Sequence, residues 1–245
     1  MKRRGFLAGI FLLAELSLAG CSLTDETPTY RYRLTVEVDT PEGLKTGSSV
    51  IEVDTHRDQR NWNPNARGRR YQVRGEAAAV ELGEDRVLFA LLRSEDSVDW
   101  AAQILFLTTP YAVEAEDKFL ATFERMLARE GEVELPPDLG AFISSSDASA
   151  RPMLVTFRDL DDPTSVERVD SENLAASFGE GFALRRITVQ LSDDSVSFKL
   201  ADRLPWLDKY TRKHFDGSSI ISEDLSTDKL AARFSSGTFS TEFAQ

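Results

Sequence analysis

Cysteine is all but missing from this chain of 245 residues: one is present, at position 21. A single thiol closes no disulfide within the chain and builds no zinc site on thiolates. Histidine is nearly as scarce. His56 and His214 are the two present, and neither has a second histidine or a cysteine at ligand spacing. No H-E-x-x-H helix, no G-x-S-x-G elbow and no P-loop is written in the chain. No uninterrupted apolar run reaches the roughly 20 residues that a membrane-crossing helix needs. Internal repeats and low-complexity tracts are absent too. Basic charge is in deficit, with 29 Lys+Arg against 41 Asp+Glu and a net charge of −12. That balance excludes coating nucleic acid or an anionic lipid surface by overall charge. With 41% hydrophobic residues, the chain still has the apolar surface for a sizeable core, as one large domain or two small ones.

What is present begins at the amino terminus. Lys2, Arg3 and Arg4 precede an apolar run from Gly5 to Ala14, and Leu18-Ala19-Gly20-Cys21 follows. A charged start, a short apolar stretch and a small-residue cleavage site describe a secretory signal peptide over residues 1–20. Leu-Ala-Gly-Cys resembles the lipobox of bacterial lipoproteins. That resemblance implies a diacylglycerol on the Cys21 thiol, cleavage before it, and attachment to a membrane of the cell envelope. Arg3-Arg4-Gly5-Phe6-Leu7 is similar to the core of a twin-arginine export signal, and ordinary signal peptides also carry arginine pairs, so both export routes stay open. Ser22 stands where an Asp is the familiar inner-membrane retention signal. If the cell has two membranes, this favours the outer membrane, with the body facing the periplasm. Residues 1–20 hold Lys2, Arg3, Arg4 and Glu15, which leaves 26 basic and 40 acidic residues from Cys21 onward, a net of −14.

The rest reads as a short polar tether over residues 21–29 and a single β-rich body over 30–245. Tyr30 to Thr40 alternates apolar and polar side chains with the period of a half-buried strand. Ser49, Ile51, Val53 and Thr55 line one face of its hairpin partner, while residues 56–70 lack periodicity and read as an exposed loop. Residues 77–82 and 87–92 flank Gly83-Glu84-Asp85-Arg86 as a second hairpin. Phe119, Leu120, Phe123, Met126 and Leu127 mark one clear amphipathic helix within 113–129. Residues 144–150, SSSDASA, are the best candidate for an internal boundary. A short helix is expected at 171–178, and a third hairpin between 184–191 and 196–200. The last 38 residues carry Phe234, Phe239 and Phe243 and should pack on the body in short pieces. The expected fold class is α+β: an antiparallel sheet body of hairpins, one clear helix and short helical pieces.

The run from Tyr32 to Val53, with Asp162-Pro163-Thr164-Ser165-Val166, Phe178-Gly179-Glu180-Gly181, Leu204-Pro205-Trp206-Leu207 and Asp216-Gly217, resembles an uncharacterised family of exported, mainly proteobacterial proteins. The resemblance spans most of the chain after Cys21. It implies one continuous folded unit and supplies no catalytic residue.

The most uneven stretch is 56–74. Arg57, Arg60, Arg67, Arg69, Arg70 and Arg74 stand there against Asp58, with Trp62 and Tyr71 between them. Arg57, Arg60, Trp62, Arg67, Arg69 and Arg70 form a candidate anion-binding set, since arginine forks grip phosphate and carboxylate and an indole stacks. The competing reading is a solvated loop whose arginines pair with acidic strands. The histidines read as exposed loop residues, although a Ser-His-Asp site can be assembled in space whatever the sequence order. Asp159, Asp161 and Asp162 crowd together as Ca²⁺ ligands do, but without the glycine and glutamate of an EF-hand; turn capping also accounts for them. No cofactor or metal is implied, and nucleic acid is not an expected partner. The expected function is a non-enzymatic envelope lipoprotein that binds an envelope protein or an anionic envelope component. The alternative is an envelope hydrolase with a spatially assembled site.

Overall fold

A computed structural model describes residues 27–57, 69–144, 146–196, 198–219 and 229–243. Strand β1 (Tyr30–Thr40) behaves as its alternation demands: Tyr30, Tyr32, Leu34, Val36 and Val38 are buried and the residues between them are half-buried. It pairs antiparallel with β2 (Gly43–Arg57), Tyr30 facing Val53 and Thr40 facing Gly43. β2 runs past the start of β1 and pairs with β3 (Arg69–Arg74), so residues 56, 57, 69 and 70 are strand rather than loop. On the other side of β1 lies β9 (Ala183–Leu191), and beyond it β6 (Val133–Glu134). The order of this five-stranded sheet is β3-β2-β1-β9-β6, all antiparallel.

A second antiparallel sheet joins β4 (Ala78–Gly83), β5 (Arg86–Ala90), β7 (Leu154–Phe157) and β8 (Val166–Val169) in that order. The β4–β5 hairpin closes through Glu84 and Asp85, both with positive φ (52° and 58°), the backbone of a tight two-residue turn. The two sheets meet where β2 crosses β4. Gly47 is required there, because a Cβ would stand 2.0 Å from the Ala79 carbonyl oxygen.

Helices cover the rest of the first core. In α1 (Trp100–Leu107) the Ala102 and Ala101 carbonyls accept bonds from the Tyr30 and Tyr32 hydroxyls at 3.2 and 2.7 Å. The expected amphipathic helix is shorter than its pattern: α2 (Lys118–Leu127) starts where the Asp117 carboxylate accepts the Leu120 N–H and caps it. Phe123 and Met126 point into the core, and Phe123 meets the Tyr30 ring edge-on at 5.7 Å. The other face of the four-stranded sheet is also apolar. Val87, Phe89, Leu91, Val155 and Phe157 lie against Trp206, Phe215, Phe234 and Phe239 from the carboxyl-terminal third.

The third expected hairpin needs correction. Residues 196–200 form no hairpin with β9, whose two edges are already taken by β1 and β6; Leu200–Arg203 is instead a helical turn, α4, following α3 (Ala175–Phe178). Its Leu200 fills the second core rather than a strand face. The polar face of β1 is not idle in water either. Glu37 accepts two bonds from Arg186 at 2.7 and 2.9 Å, and Asp39 holds Arg185 at 2.6 Å. The sides of the 144–150 segment interleave, since β7 pairs with β5 and β9 with β1.

Val36 has no exposed surface, so Val36→Asp buries an unpaired carboxylate. Urea unfolding should show a loss of about 4 kcal/mol or more. Glu37→Lys loses the Arg186 pair and sets two cations side by side, and should cost about 1 kcal/mol. Equal losses from both would contradict the register of β1.

Candidate functional site

The amino-terminal end of β1 gathers most of the charge singled out above. Thr27 donates its hydroxyl to the Thr55 carbonyl at 2.7 Å, tying the chain just before β1 to the far part of β2. From there β2 and β3 continue as a two-stranded ribbon in which Arg57 stands opposite Arg69 and His56 opposite Arg70. Arg70 is exposed. Arg60, Trp62 and Arg67 lie outside the described residues, as does Cys21, so the anion-binding set is brought together only in its Arg57, Arg69 and Arg70 members.

Arg74 belongs to the competing description. It donates to Glu52 at 3.0 Å, and Arg31 reaches the same carboxylate from β1 at 2.7 Å. Two guanidinium groups on one mostly covered carboxylate hold Glu52 below the usual glutamate range; the bond from Arg31 is the largest cause. Arg186 acts in the same way on Glu37.

Beside this group a cleft of about 570 Å³ opens between Thr29, Tyr30, Arg31, Leu127, Arg129, Leu191 and Asp193. Arg129 is the residue that sequence reasoning missed. Two residues past the end of α2, it donates to the Thr108 carbonyl at 2.6 Å and the Thr108 hydroxyl at 3.3 Å. No carboxylate among the described residues pairs with it. Burial lowers its pKa. A half-buried guanidinium without a counter-ion favours an anion beside it. The available signal was a basic residue at the end of an amphipathic helix, which usually serves the helix dipole alone.

The histidine expectation is corrected. His214 is buried, not exposed, and its Nδ1 lies 3.1 Å from the Ser218 hydroxyl. Asp216 completes a Ser-His-Asp trio in composition but not in geometry. Its carboxylate accepts the Ser218 N–H at 2.8 Å instead of orienting the imidazole, the arrangement of a turn rather than of an activated nucleophile. His56 offers its backbone alone to description. The aspartate cluster caps turns, with Asp162 accepting from the Thr164 N–H and hydroxyl and Asp159 from the Asp161 N–H. No group of three or more His, Cys, Asp or Glu among the described residues is placed to hold a metal ion. A second basic groove, of about 680 Å³, has its Arg158 and Arg168 held by Glu167 and Glu95 at 2.8 and 3.1 Å.

Compared with known family models, curated proteins and solved structures, the chain matches none.

The depressed Glu52 and Glu37 carboxylates fix the sign of one pH effect. Each is more acidic in the folded chain than in the unfolded one. The stability from their arginine partners is therefore complete above the usual glutamate value of 4.5 and is lost as the pH falls through the lowered value. Glu52→Gln should cost about 1 kcal/mol at neutral pH and flatten the acid limb of a stability–pH curve. An acid limb as steep as that of the unaltered protein would show that the Arg31–Glu52–Arg74 group is not a source of it.

Proposed function

We propose that this chain is an exported lipoprotein of the bacterial cell envelope, anchored through acylated Cys21 and working by the contacts its folded body makes there. The observation that carries this reading is Leu18-Ala19-Gly20-Cys21 behind a charged and apolar leader, with the chain's sole cysteine at the acceptor position. The body supports it by beginning at once. Thr27, six residues after Cys21, is already bonded to Thr55, so a lipid on Cys21 leaves a tether of about 20 Å at full extension. Ser22 directs the reading toward the outer membrane, with the body in the periplasm. The resemblance to an exported proteobacterial family agrees with the same address. The partner is an envelope protein or an anionic envelope component, met at the arginine-bearing end of the sheet.

Metabolic labelling with a palmitate analogue in the producing bacterium tests the anchor. The unaltered protein should take up label and fractionate with membranes. Cys21→Ser should lose essentially all label and accumulate as an uncleaved precursor or as soluble protein. Retained acyl label on the serine variant would overturn the lipoprotein reading.

A further inference from the structure

We infer that the anchor-proximal end of the five-stranded sheet rests on anionic phospholipid headgroups, with a lipid phosphate seated between Arg31 and Arg129. This rests on the lipoprotein reading of Cys21 and adds to it which face meets the bilayer and what that face binds.

Topology supplies the first step. β1 starts at Tyr30, and β2 and β3 extend past that start to Arg57 and Arg69. The ribbon end and the first described residue, Thr27, therefore share one end of the molecule. A lipid on Cys21 holds this end within about 20 Å of the membrane.

Charge supplies the second step. Among the described residues, Arg31, Arg70, Arg74 and Arg129 are at this end, with the strand positions of Arg57 and Arg69, against Glu52, Asp54 and Asp193. The chain as a whole has the opposite balance, 29 basic residues to 41 acidic. Glu52 is already shared by Arg31 and Arg74. Basic residues near a membrane surface attract anionic lipid at about 1 kcal/mol each, and so orient a body that its anchor already holds there.

The cleft supplies the third. It opens at Pro28 and Thr29, where the tether enters, and places Arg31 and Arg129 on its walls. Arg129 is fixed by its two bonds to Thr108, so its remaining N–H donors are held for a ligand rather than searching for one. A phosphodiester brings the acceptor oxygens and the negative charge that a half-buried guanidinium favours.

The test uses the detergent-purified, lipidated full chain reconstituted into vesicles of phosphatidylcholine alone or of phosphatidylcholine with phosphatidylglycerol, followed by hydrogen exchange. Flotation with both vesicle types reads the anchor by itself. If the protein floats with neither, the lipoprotein reading fails before the headgroup question is asked. With the anchor in place, amides of 28–31, 56–57, 69–70 and 127–129 should exchange more slowly on the anionic vesicles. The slowing should be on the order of 100-fold for three basic residues, and should fade in 1 M salt, where the screening length is about 3 Å. Replacing Arg57, Arg69 and Arg70 together with Gln should remove most of it, and Arg129→Gln should remove the part at 28–31 and 127–129. Unchanged melting temperatures would show that both variants fold, and the salt response of the unaltered protein needs no variant. Equal exchange on the two vesicle types would overturn the proposal. Protection by inorganic phosphate alone, equal to that on anionic vesicles, would overturn it as well and make the cleft a site for soluble anions.

Discussion

The structure depends on a sheet with two apolar faces. Every residue from Val87 to Ala90 in β5, and every residue of β7, is buried. A strand covered on one side alone would alternate; these do not. One face is taken by the five-stranded sheet and its helices, the other by Trp206, Phe215, Phe234 and Phe239. Burying a side chain of that size contributes about 2–3 kcal/mol, so the segment that carries these four rings is a structural layer and not an appendage. The aromatic contacts are directional as well: Phe157 meets Trp206 edge-on at 5.4 Å and Phe239 at a tilt of 38° and 5.6 Å.

Closing that second layer brings a carboxylate inside. Glu76 is buried at the start of the second sheet and accepts the Lys199 and Leu200 N–H groups at 2.9 Å, capping α4 where the layer begins. Gly75 and Ala77 on either side bond to Thr241 and Phe239, near the end of the layer. Three consecutive residues thus clasp the covering segment at its first and last turns. Burial raises the Glu76 pKa, and the two backbone donors oppose that rise. A charge is tolerated there because its donors are peptide groups already fixed by the fold.

Period-two elements were legible in the sequence, and elements set by tertiary demand were not. β1 and the near part of β2 could be read residue by residue, because one buried face imposes strict alternation. The 77–92 hairpin was legible from its turn. Trp100–Leu107 is apolar on every side, so nothing in its pattern distinguished helix from buried strand. Residues 113–117 share the helical spacing of α2, but Asp117 caps the helix and stops it there. The apolar residues of 196–200 suggested a strand, yet both edges of β9 were occupied by strands distant in sequence, which no local pattern records. At the charged end, clustering marked Arg57, Arg69 and Arg70. Arg129, which sits 98 positions after Arg31 and lines the same cleft, was legible only through the path of the chain.

The charge distribution follows from the same architecture. On the outer face of the five-stranded sheet and its rim, five acidic residues are matched by five arginines: Glu52 with Arg31 and Arg74, Asp194 with Arg33, Glu37 and Glu132 with Arg186, Asp39 with Arg185. Such pairs contribute little each, but together they neutralise that face. The strand positions of Arg57, Arg69 and Arg70 cluster at the ribbon end where β2 and β3 outrun β1, in a chain whose net charge is −12. A body so polarised does not meet an anionic surface in a random orientation. Its basic end is attracted and the rest repelled, over a screening distance of about 8 Å at physiological salt. On the lipoprotein reading, a tether of at most about 20 Å from Cys21 would let the body turn and still hold its basic end within reach of that field. On the lipoprotein reading, anchor and charge then select the same orientation, and the overall negative charge becomes the part of the device that keeps the other faces in solvent.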